Sequence, residues 1–153
     1  MKFKINLFLL FIWPIYAEIV NVHISSWDEL ISYKPTNKED EYVFILDKIL
    51  SATNPSNFLS QYKKVTIKSE DSKKRIYCTG TDLSSLFNFE SQSEELDLTL
   101  QTLLISSCKY PQVVVSGPNV NVNLINVEFS QNQDSAIQAT NVKSVTIDNC
   151  KFK

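Results

Sequence analysis

The ionisable side chains in the C-terminal part of the chain are the residues whose types could do chemistry. Asp97, Glu128, Asp134 and Asp148 are acids, and Lys143 is a cation among them. Glycoside hydrolysis needs two carboxylates at a set separation, and β-elimination needs a base beside a cation. An enzyme would require two or more of Asp97, Asp134, Asp148 and Lys143 to lie within about 6 Å in one groove. We expect them to be solvated side chains that face outward.

The histidine, serines, glycines and cysteines do not show the spacings that catalysis or cofactor binding requires. His23, the only histidine, has no evident partner, and no serine has a nucleophile-elbow spacing that would use it. The two glycines, Gly80 and Gly117, are too few for a phosphate-binding loop. The three cysteines show neither the Cys-x-x-Cys nor the His-rich spacing of a metal site. We therefore predict no catalytic, cofactor-binding or metal-ligating residues, no cofactor, and no enzymatic activity.

A repeat near the C-terminus indicates how the charged residues are positioned. The segment from Val122 to Phe129 matches the segment from Val145 to Phe152, and the offset is constant (145 − 122 = 152 − 129 = 23). A period of about 20–25 residues built from short strands is typical of a solenoid, whose units bury their apolar faces against one another. The match predicts four stacked pairs. Val122 with Val145 and Leu124 with Ile147 lie inside the tube. Asn126 with Asn149 lie at a turn, and Phe129 with Phe152 lie at the strand end.

A third copy, Leu103 to Tyr110, aligns with the middle copy at a shorter offset (122 − 103 = 19) and constrains the cysteines. It places Cys108 in the column of Val127 and Cys150, two units away from Cys150. Two strand spacings are about 9–10 Å, which is beyond the reach of a disulfide. We therefore predict that Cys108 and Cys150 are not bonded to each other, while a bridge between Cys78 and Cys108 stays open.

The same alignment constrains the charges. Lys109, Glu128 and Lys151 would share one outward column of alternating sign. Asp148 would have no acidic neighbour in its column, and Arg75, the only arginine, would lie outside the repeat. These assignments favour a scaffold over a catalytic cluster.

The first residues have the pattern of a cleaved secretory signal. Lys2 and Lys4 precede a largely apolar run, residues 5–12, and Ala17 offers a small residue at the cleavage point. The run is too short to span a bilayer, so we predict no stable membrane span. Loss of residues 1–17 removes two lysines and leaves a charge of 13 − 17 = −4. A mildly acidic chain without clustered cations is a poor ligand for nucleic acid.

The segment after the signal predicts a small α/β unit. Residues 19–24 alternate like a strand, and Ser26 with Glu29 forms a capping box at the start of a short helix. Residues 42–46 read as a strand buried on both faces. Trp27 on the helix is interpreted as a packing residue, with a sugar-binding platform as the alternative.

Two short motifs carry a family resemblance. Phe129-Ser-Gln-Asn132 followed by Asp134-Ser-Ala-Ile137 resembles the repeat of polymorphic outer membrane proteins, with Asp134-Ser135 in place of its glycine pair. Residues 96–153 as a whole resemble the right-handed parallel β-helix of pectin-lyase-like proteins. The resemblance implies either a polysaccharide lyase or hydrolase, or an extracellular surface protein whose ladder is a rigid scaffold.

The predicted fold is mainly β: a right-handed parallel β-helix, or solenoid, of two to three rungs with a small N-terminal α/β cap. We assign residues 1–17 to a signal peptide, 18–62 to the strand–helix–strand cap, and 63–153 to the β-helix rungs. No polar cap follows the last repeat, so we expect the β-helix to be truncated at its C-terminus.

The function expected from this fold is non-catalytic. We predict a secreted or cell-surface protein that acts as a scaffold, in adhesion or in ligand display. One alternative is a fragment or remnant of a carbohydrate-active, pectin-lyase-like enzyme, and another is a gene fragment with no independent function. The expected partners are an extracellular carbohydrate or a surface protein, and the open C-terminal end is expected to self-associate.

Overall fold

Short β-strands dominate the chain. The computed structural model describes residues 17–54, 57–80 and 85–153, so the predicted signal peptide lies outside the described residues except for Ala17. The N-terminal half contains β1 (Ile19–Ile24), α1 (Trp27–Ser32), β2 (Glu41–Leu46), β3 (Leu50–Ala52), a 3₁₀ turn (Phe58–Gln61), β4 (Lys64–Lys68), β5 (Lys74–Cys78) and β6 (Phe87–Glu90). The C-terminal half contains β7 (Leu96–Gln101), β8 (Leu103–Ser106), β9 (Val113–Ser116), β10 (Val120–Ile125), β11 (Glu128–Ser130), β12 (Ile137–Thr140), β13 (Ser144–Asp148) and β14 (Lys151–Phe152).

The described strands form three sheets in which every pairing is parallel. Sheet 1 has the order β1-β2-β4-β7-β10-β13, sheet 2 the order β3-β5-β8-β11-β14, and sheet 3 the order β6-β9-β12. From β4 onward, the chain adds one strand to each sheet in turn and then returns to sheet 1 one strand further along. This is a parallel β-solenoid, as predicted, and each complete turn of it is a rung.

The solenoid has about five rungs, so the prediction of two to three is wrong. Strands β1 and β2, from the segment assigned to the cap, join the same sheet as the C-terminal repeats. The sequence numbers of paired residues on sheet 1 differ by 22, 23, 33, 24 and 23, taken from β1 to β13. The one long rung interrupts the period, which is why the earlier rungs do not align with the repeat by sequence.

The register of the last rungs confirms the C-terminal repeat and corrects its third copy. Val122 pairs with Val145, and Leu124 pairs with Ile147. On the other side, however, Val122 pairs with Leu98 rather than with Leu103. The alignment of Leu103 with Val122 is therefore wrong, and the true offset on that side is larger (122 − 98 = 24).

The error has a local cause in a leucine-rich stretch that lacks an explicit turn residue. Residues 96–105 supply two strands, β7 in sheet 1 and β8 in sheet 2, with Thr102 between them at a φ of 55°. A β-branched residue rarely adopts this left-handed conformation, so its sequence carries no turn signal. The segment beginning at Leu103 thus belongs to sheet 2, where Ile105 pairs with Phe129.

Asparagine marks the same corner in the next two rungs. Asn126 and Asn149 have φ values of 55° and 50°, and the Asn149 side-chain amide lies 3.4 Å from the Asn126 side-chain oxygen. Asparagine tolerates this conformation better than most residues. The predicted asparagine pair is confirmed, and so is the aromatic one: the rings of Phe129 and Phe152 are stacked, 5.3 Å between centroids at 6°.

The N-terminal end is covered by the helix that the capping box predicts. The Ser26 hydroxyl accepts from the Glu29 backbone N–H at 3.2 Å, and the Glu29 carboxylate accepts from the backbone N–H of Ser25 at 2.7 Å. Trp27 and Leu30, on the inner side of α1, are buried. The helix therefore shields the apolar interior of the first rung from water.

A disulfide joins two neighbouring rungs. Cys78, at the end of β5, is bonded to Cys108, just after β8, and their Cα atoms are 4.9 Å apart. Cys150 carries a free thiol. Cys108 and Cys150 are thus not partners, as predicted, although Cys108 does not share the column of Cys150.

The inward column can be tested with one buried carboxylate. Val122 is fully buried, so Val122→Asp should lower the free energy of unfolding by about 3–5 kcal/mol, a large fraction of a domain's stability. Asn123→Asp adds the same charge one residue away on the outer face and should change it by about 0.5 kcal/mol or less. Urea denaturation measures both, and equal effects would show that the inward assignment is wrong.

The disulfide should stabilise the fold through the chain segment it closes. Its cysteines are 30 residues apart, for which loop-closure entropy gives about 3–4 kcal/mol. The double variant Cys78→Ala/Cys108→Ala should lose that amount in denaturant titrations. Cys150→Ala is the matched control and should lose clearly less, and a double variant as stable as its parent would contradict a bond between Cys78 and Cys108.

Candidate functional site

A polar groove crosses the outer face of sheet 1 near the starts of its strands. Its volume is about 290 Å³. Three acids, three lysines and two asparagines line it: Glu39, Glu95, Asp97, Lys63, Lys64, Lys143, Asn119 and Asn121. A second groove of about 270 Å³ adjoins it and shares Lys63, Glu95 and Asn119. We call the first of these the sheet-1 groove.

Parallel register brings residues that are distant in sequence into this groove. Asp97 pairs with Lys64 on one side and with Asn121 on the other, so the three share one outward column. Neighbouring strands of a sheet lie about 4.8 Å apart. Lys63 and Lys143 immediately precede β4 and β13, and they extend the groove at the strand starts.

Lys63 is the centre of the charge network. Its ammonium lies 2.6 Å from a carboxylate oxygen of Glu39 and 3.4 Å from one of Glu95. The hydrogen bond to Glu39 holds the pKa of Lys63 above its ordinary value. Beside it, Lys64 lies 2.6 Å from a carboxylate oxygen of Glu41. These pairs are solvent-exposed, so they organise the groove more than they stabilise the fold.

A chain of side-chain hydrogen bonds crosses three strands beside the lysines. The Ser144 hydroxyl contacts the Asn121 side-chain oxygen at 2.7 Å, and the Asn121 amide donates to the Asp97 carboxylate at 2.5 Å. Lys143 forms no ion pair with the described residues. The groove thus offers a fixed ladder of donors and acceptors, with one unpaired ammonium at its end.

The structure brings together two of the four residues in which sequence reasoning looked for an enzyme. Asp97 and Lys143 line the sheet-1 groove. Asp134 lies near the last rung, where its carboxylate accepts from the Ser135 backbone N–H at 2.6 Å. Asp148 faces an isoleucine in its column, as predicted. The remaining groove residues were missed, although Lys63 and Glu95, which stand just before β4 and β7, carry a signal.

The predicted outward ladder around Glu128 is half correct. Lys151 pairs with Glu128 in the register of β11 and β14, but Lys109 does not, because the third copy was misaligned. Lys153 and Lys73 lie 2.8 and 3.8 Å from the carboxylate instead. The hydrogen bond from Lys153 holds the pKa of Glu128 below its ordinary value.

Arg75 lies within the solenoid, on a rung that precedes the repeated segments. It is part of β5, whose register with β8 the uneven rung spacing hides from the sequence. Its guanidinium donates to the hydroxyls of Ser106 and Ser107 at 2.6 and 3.2 Å. It also lies 5.6 Å from the centre of the Tyr77 ring. Its donors therefore join adjacent rungs.

His23 has a partner that the sequence did not indicate. The pairing of β1 with β2 places Asp47 beside it, and its Nδ1 lies 2.9 Å from an Asp47 carboxylate oxygen. The hydrogen bond to Asp47 raises the pKa of His23 above 6.5. Both side chains are exposed, His23 on the first rung and Asp47 on the second, and neither lines the sheet-1 groove.

Trp27 packs inside the fold, so the interpretation as a packing residue is confirmed. It is 3% exposed, its ring lies 6.2 Å from that of Phe87, and its indole N–H donates to the Asn54 carbonyl at 3.1 Å. A sugar platform needs an open ring face.

Across residues 17–54, 57–80 and 85–153, no group of acids, histidines and cysteines is arranged to hold a metal ion, and no helix is long and apolar enough to cross a membrane.

Comparison with known proteins leaves the site to be interpreted from its geometry. No family model, curated protein or solved structure matches this chain. The parallel β-solenoid is present, but the likeness to pectin-lyase-like proteins and to polymorphic outer membrane repeats stays a prediction.

The His23–Asp47 pair predicts a small pH dependence of stability. Because the folded-state pKa is raised, the contribution is fully present below pH 6.5, the ordinary value, and is lost as pH rises through the folded pKa. Thermal unfolding of the parent chain and of His23→Gln, compared across pH 5–9, should show the difference between their midpoints shrinking with rising pH. A difference that grows with pH would contradict the pair.

Proposed function

We propose that this protein is a secreted or surface-displayed, non-catalytic scaffold that presents the sheet-1 groove to an extracellular ligand. The observation that supports this proposal is that charged side chains in the groove are paired with neighbouring groups. Lys63 is held between two carboxylates, Lys64 is bonded to Glu41, and Asp97 is bonded to Asn121. Groups that are paired with one another in this way present a patterned polar surface, with Asp97 held by Asn121 and not by a group to which it could pass a proton.

Secretion is supported by two independent features. The first residues carry the basic and apolar pattern of a signal. Cys78 and Cys108 form a disulfide, and such bonds persist mainly in oxidising compartments such as the cell exterior. We accordingly infer an extracellular or surface location. Separately, we propose that the β-helix is of the right-handed, pectin-lyase-like form that the sequence resembles.

A hydroxyl-rich ligand suits the groove best. Asp97, Asn121 and Ser144 form an unbroken row of acceptors and donors on three adjacent strands. Strand spacing sets the repeat of this row at about 4.8 Å, close to the length of one sugar ring. The formal charges lining the groove balance, three acids against three lysines, so the surface does not select strongly for a highly charged ligand.

A second candidate is a carbohydrate-active enzyme or its remnant. The observation in its favour is that Asp97, a potential base, and Lys143, an unpaired ammonium, line the same groove. A base beside a cation is the minimum that β-elimination needs. The two candidates differ in one measurable way, since only the enzyme releases product.

One experiment separates the candidates. The purified chain is titrated with polygalacturonate and with a neutral β-glucan in a calorimeter, and the same mixtures are assayed for unsaturated products and new reducing ends. We expect binding of a polysaccharide without product release. Asp97→Asn and Asn121→Ala should each weaken it about 10-fold, the effect of losing a hydrogen bond that involves a charge.

Glu90→Gln is the matched control, because Glu90 is an exposed acid on sheet 3 and does not line the sheet-1 groove. It should bind like the parent chain. Product release that Asp97→Asn abolishes would establish the enzyme instead. Absence of binding to either polysaccharide, or equal loss in the control, would contradict a carbohydrate site in this groove.

A further inference from the structure

An arginine without an acidic partner lies on the outer face of sheet 2. Arg75 is half-buried on β5, and β5 lies between β3 and β8 in that sheet. Among the described residues, no carboxylate forms an ion pair with it. Partial burial removes part of the hydration of a charge, and proteins ordinarily offset this cost with an opposite charge. Arg75 is therefore a cation for which the described part of the chain supplies no counter-ion.

Uncharged groups fix the guanidinium of Arg75 in place. Its Nε–H donates to the Ser106 hydroxyl at 2.6 Å, and an Nη2 N–H donates to the Ser107 hydroxyl at 3.2 Å. Ser106 is fully buried, so it is a firm anchor. The Tyr77 ring lies 5.6 Å from the guanidinium carbon. These bonds leave donors of the planar fork unused within the described residues, and such a fork binds two oxygens of an anionic group.

The outer face of sheet 2 carries an excess of positive charge around this arginine. We call the surface formed by the outward residues of β3, β5, β8, β11 and β14 the sheet-2 face. Its charged residues are Arg75, Glu128 and Lys151, and Lys73 and Lys153 reach it where they contact Glu128 (4 − 1 = +3). The sheet-1 groove, in contrast, balances three acids against three lysines. The two faces therefore suit ligands of different charge.

The acid of the sheet-2 face does not serve as the counter-ion of Arg75. Glu128 lies two strands away in the same outward column, with Leu104 between them. At the usual strand spacing this separation is about 10 Å, over which exposed charges are largely screened at physiological salt. The Glu128 carboxylate is also occupied, since Lys153 lies 2.8 Å and Lys73 lies 3.8 Å from it.

A column of hydroxyl groups runs beside the arginine on the same face. Parallel register places Ser51, Tyr77, Ser106 and Ser130 in one outward column, one residue from each of four adjacent strands. A hydroxyl both donates and accepts hydrogen bonds, so the column suits a ligand that carries hydroxyl groups of its own. The sheet-2 face therefore combines a prepared anion donor with a row of groups that match a sugar polymer.

We propose that Arg75 is the centre of an oxyanion-binding site on the sheet-2 face, separate from the sheet-1 groove, which takes a sulfate group of a sulfated polysaccharide. The unused donors of the guanidinium bind two sulfate oxygens, and the hydroxyl column contacts the sugar. The positive excess favours a polymer with several anionic groups over a single carboxylate. The polysaccharide source rests on the extracellular location proposed above, whereas the oxyanion chemistry rests on Arg75 alone.

Dextran sulfate and uncharged dextran test the class of ligand by calorimetry on the full chain. We expect dextran sulfate to bind, with a dissociation constant that rises with salt, and dextran not to bind. Inorganic sulfate should compete more strongly than sodium chloride of equal ionic strength. Equal binding of the two polymers, no binding of dextran sulfate, or no competition by sulfate would overturn the proposal. Tighter binding of duplex DNA would show that the face takes a nucleic acid instead.

Variants of the arginine test the site itself. Arg75→Gln should weaken the binding of dextran sulfate about 10-fold or more, because it removes charge-assisted hydrogen bonds. Arg75→Lys keeps the charge but lacks the planar fork, so it should also weaken binding. Lys34→Gln is the matched control, because it removes one charge from an exposed lysine outside sheet 2 and should bind like the parent chain. Equal loss in Lys34→Gln, or full binding by Arg75→Lys, would indicate attraction without a site.

Ser107→Ala tests the positioning of the arginine without removing it. Because Ser107 is exposed, the substitution should leave the circular dichroism spectrum unchanged. It removes one bond that fixes the guanidinium and should weaken dextran sulfate binding about 3-fold. Binding equal to that of the parent chain would contradict a prepared site at Arg75. The neutral β-glucan used for the sheet-1 groove carries no sulfate, so either proposal can fail without the other.

Discussion

The fold depends on the stacking of inward side chains in register from one rung to the next. A single rung is a flat coil with an apolar inner edge, and it cannot bury that edge alone. Val65, Leu98, Val122 and their neighbours on sheet 1 are fully covered because a rung lies on each side of them. Stability is then a sum of interfaces between neighbouring rungs. On the side of β1, α1 packs against β1 and β3 and covers the first rung.

The same stacking determines what the outer surface can be. Parallel register places one residue of each strand in every outward column, so residues that are alike in charge would repel one another at every rung. The column through Glu41, Lys64, Asp97 and Asn121 avoids this by alternating charge and then changing to an amide. The resulting ladder of paired groups is rigid because its spacing is that of the backbone.

Much of the architecture could be predicted from the sequence, and the failures share one physical cause. The match between the last two copies predicted correct inward pairs, correct asparagines at the corner and a correct aromatic stack, because those rungs have equal length and explicit turn residues. The same reasoning failed where the corner is occupied by Thr102, which is a poor turn residue, and where the rung between Lys64 and Asp97 is longer than the one between Glu41 and Lys64. The bonds of Arg75 to the next rung, the groove residues Lys63 and Lys64, and the Asp47 partner of His23 were missed for that reason, because each depends on pairing between rungs whose register the sequence does not display.

The disulfide lies where this irregularity is greatest. The long rung has its extra residues between β4 and β7, so it has more chain to order on folding than its neighbours have. Cys78 and Cys108 tie that rung to its neighbour in sheet 2, and Arg75 bridges the same two rungs by its hydrogen bonds to Ser106 and Ser107. Covalent and polar links are thus concentrated at the junction where repeat stacking is least regular. The sheet-1 groove draws Lys63 and Asp97 from the two sides of that junction, so the same links hold the groove in register.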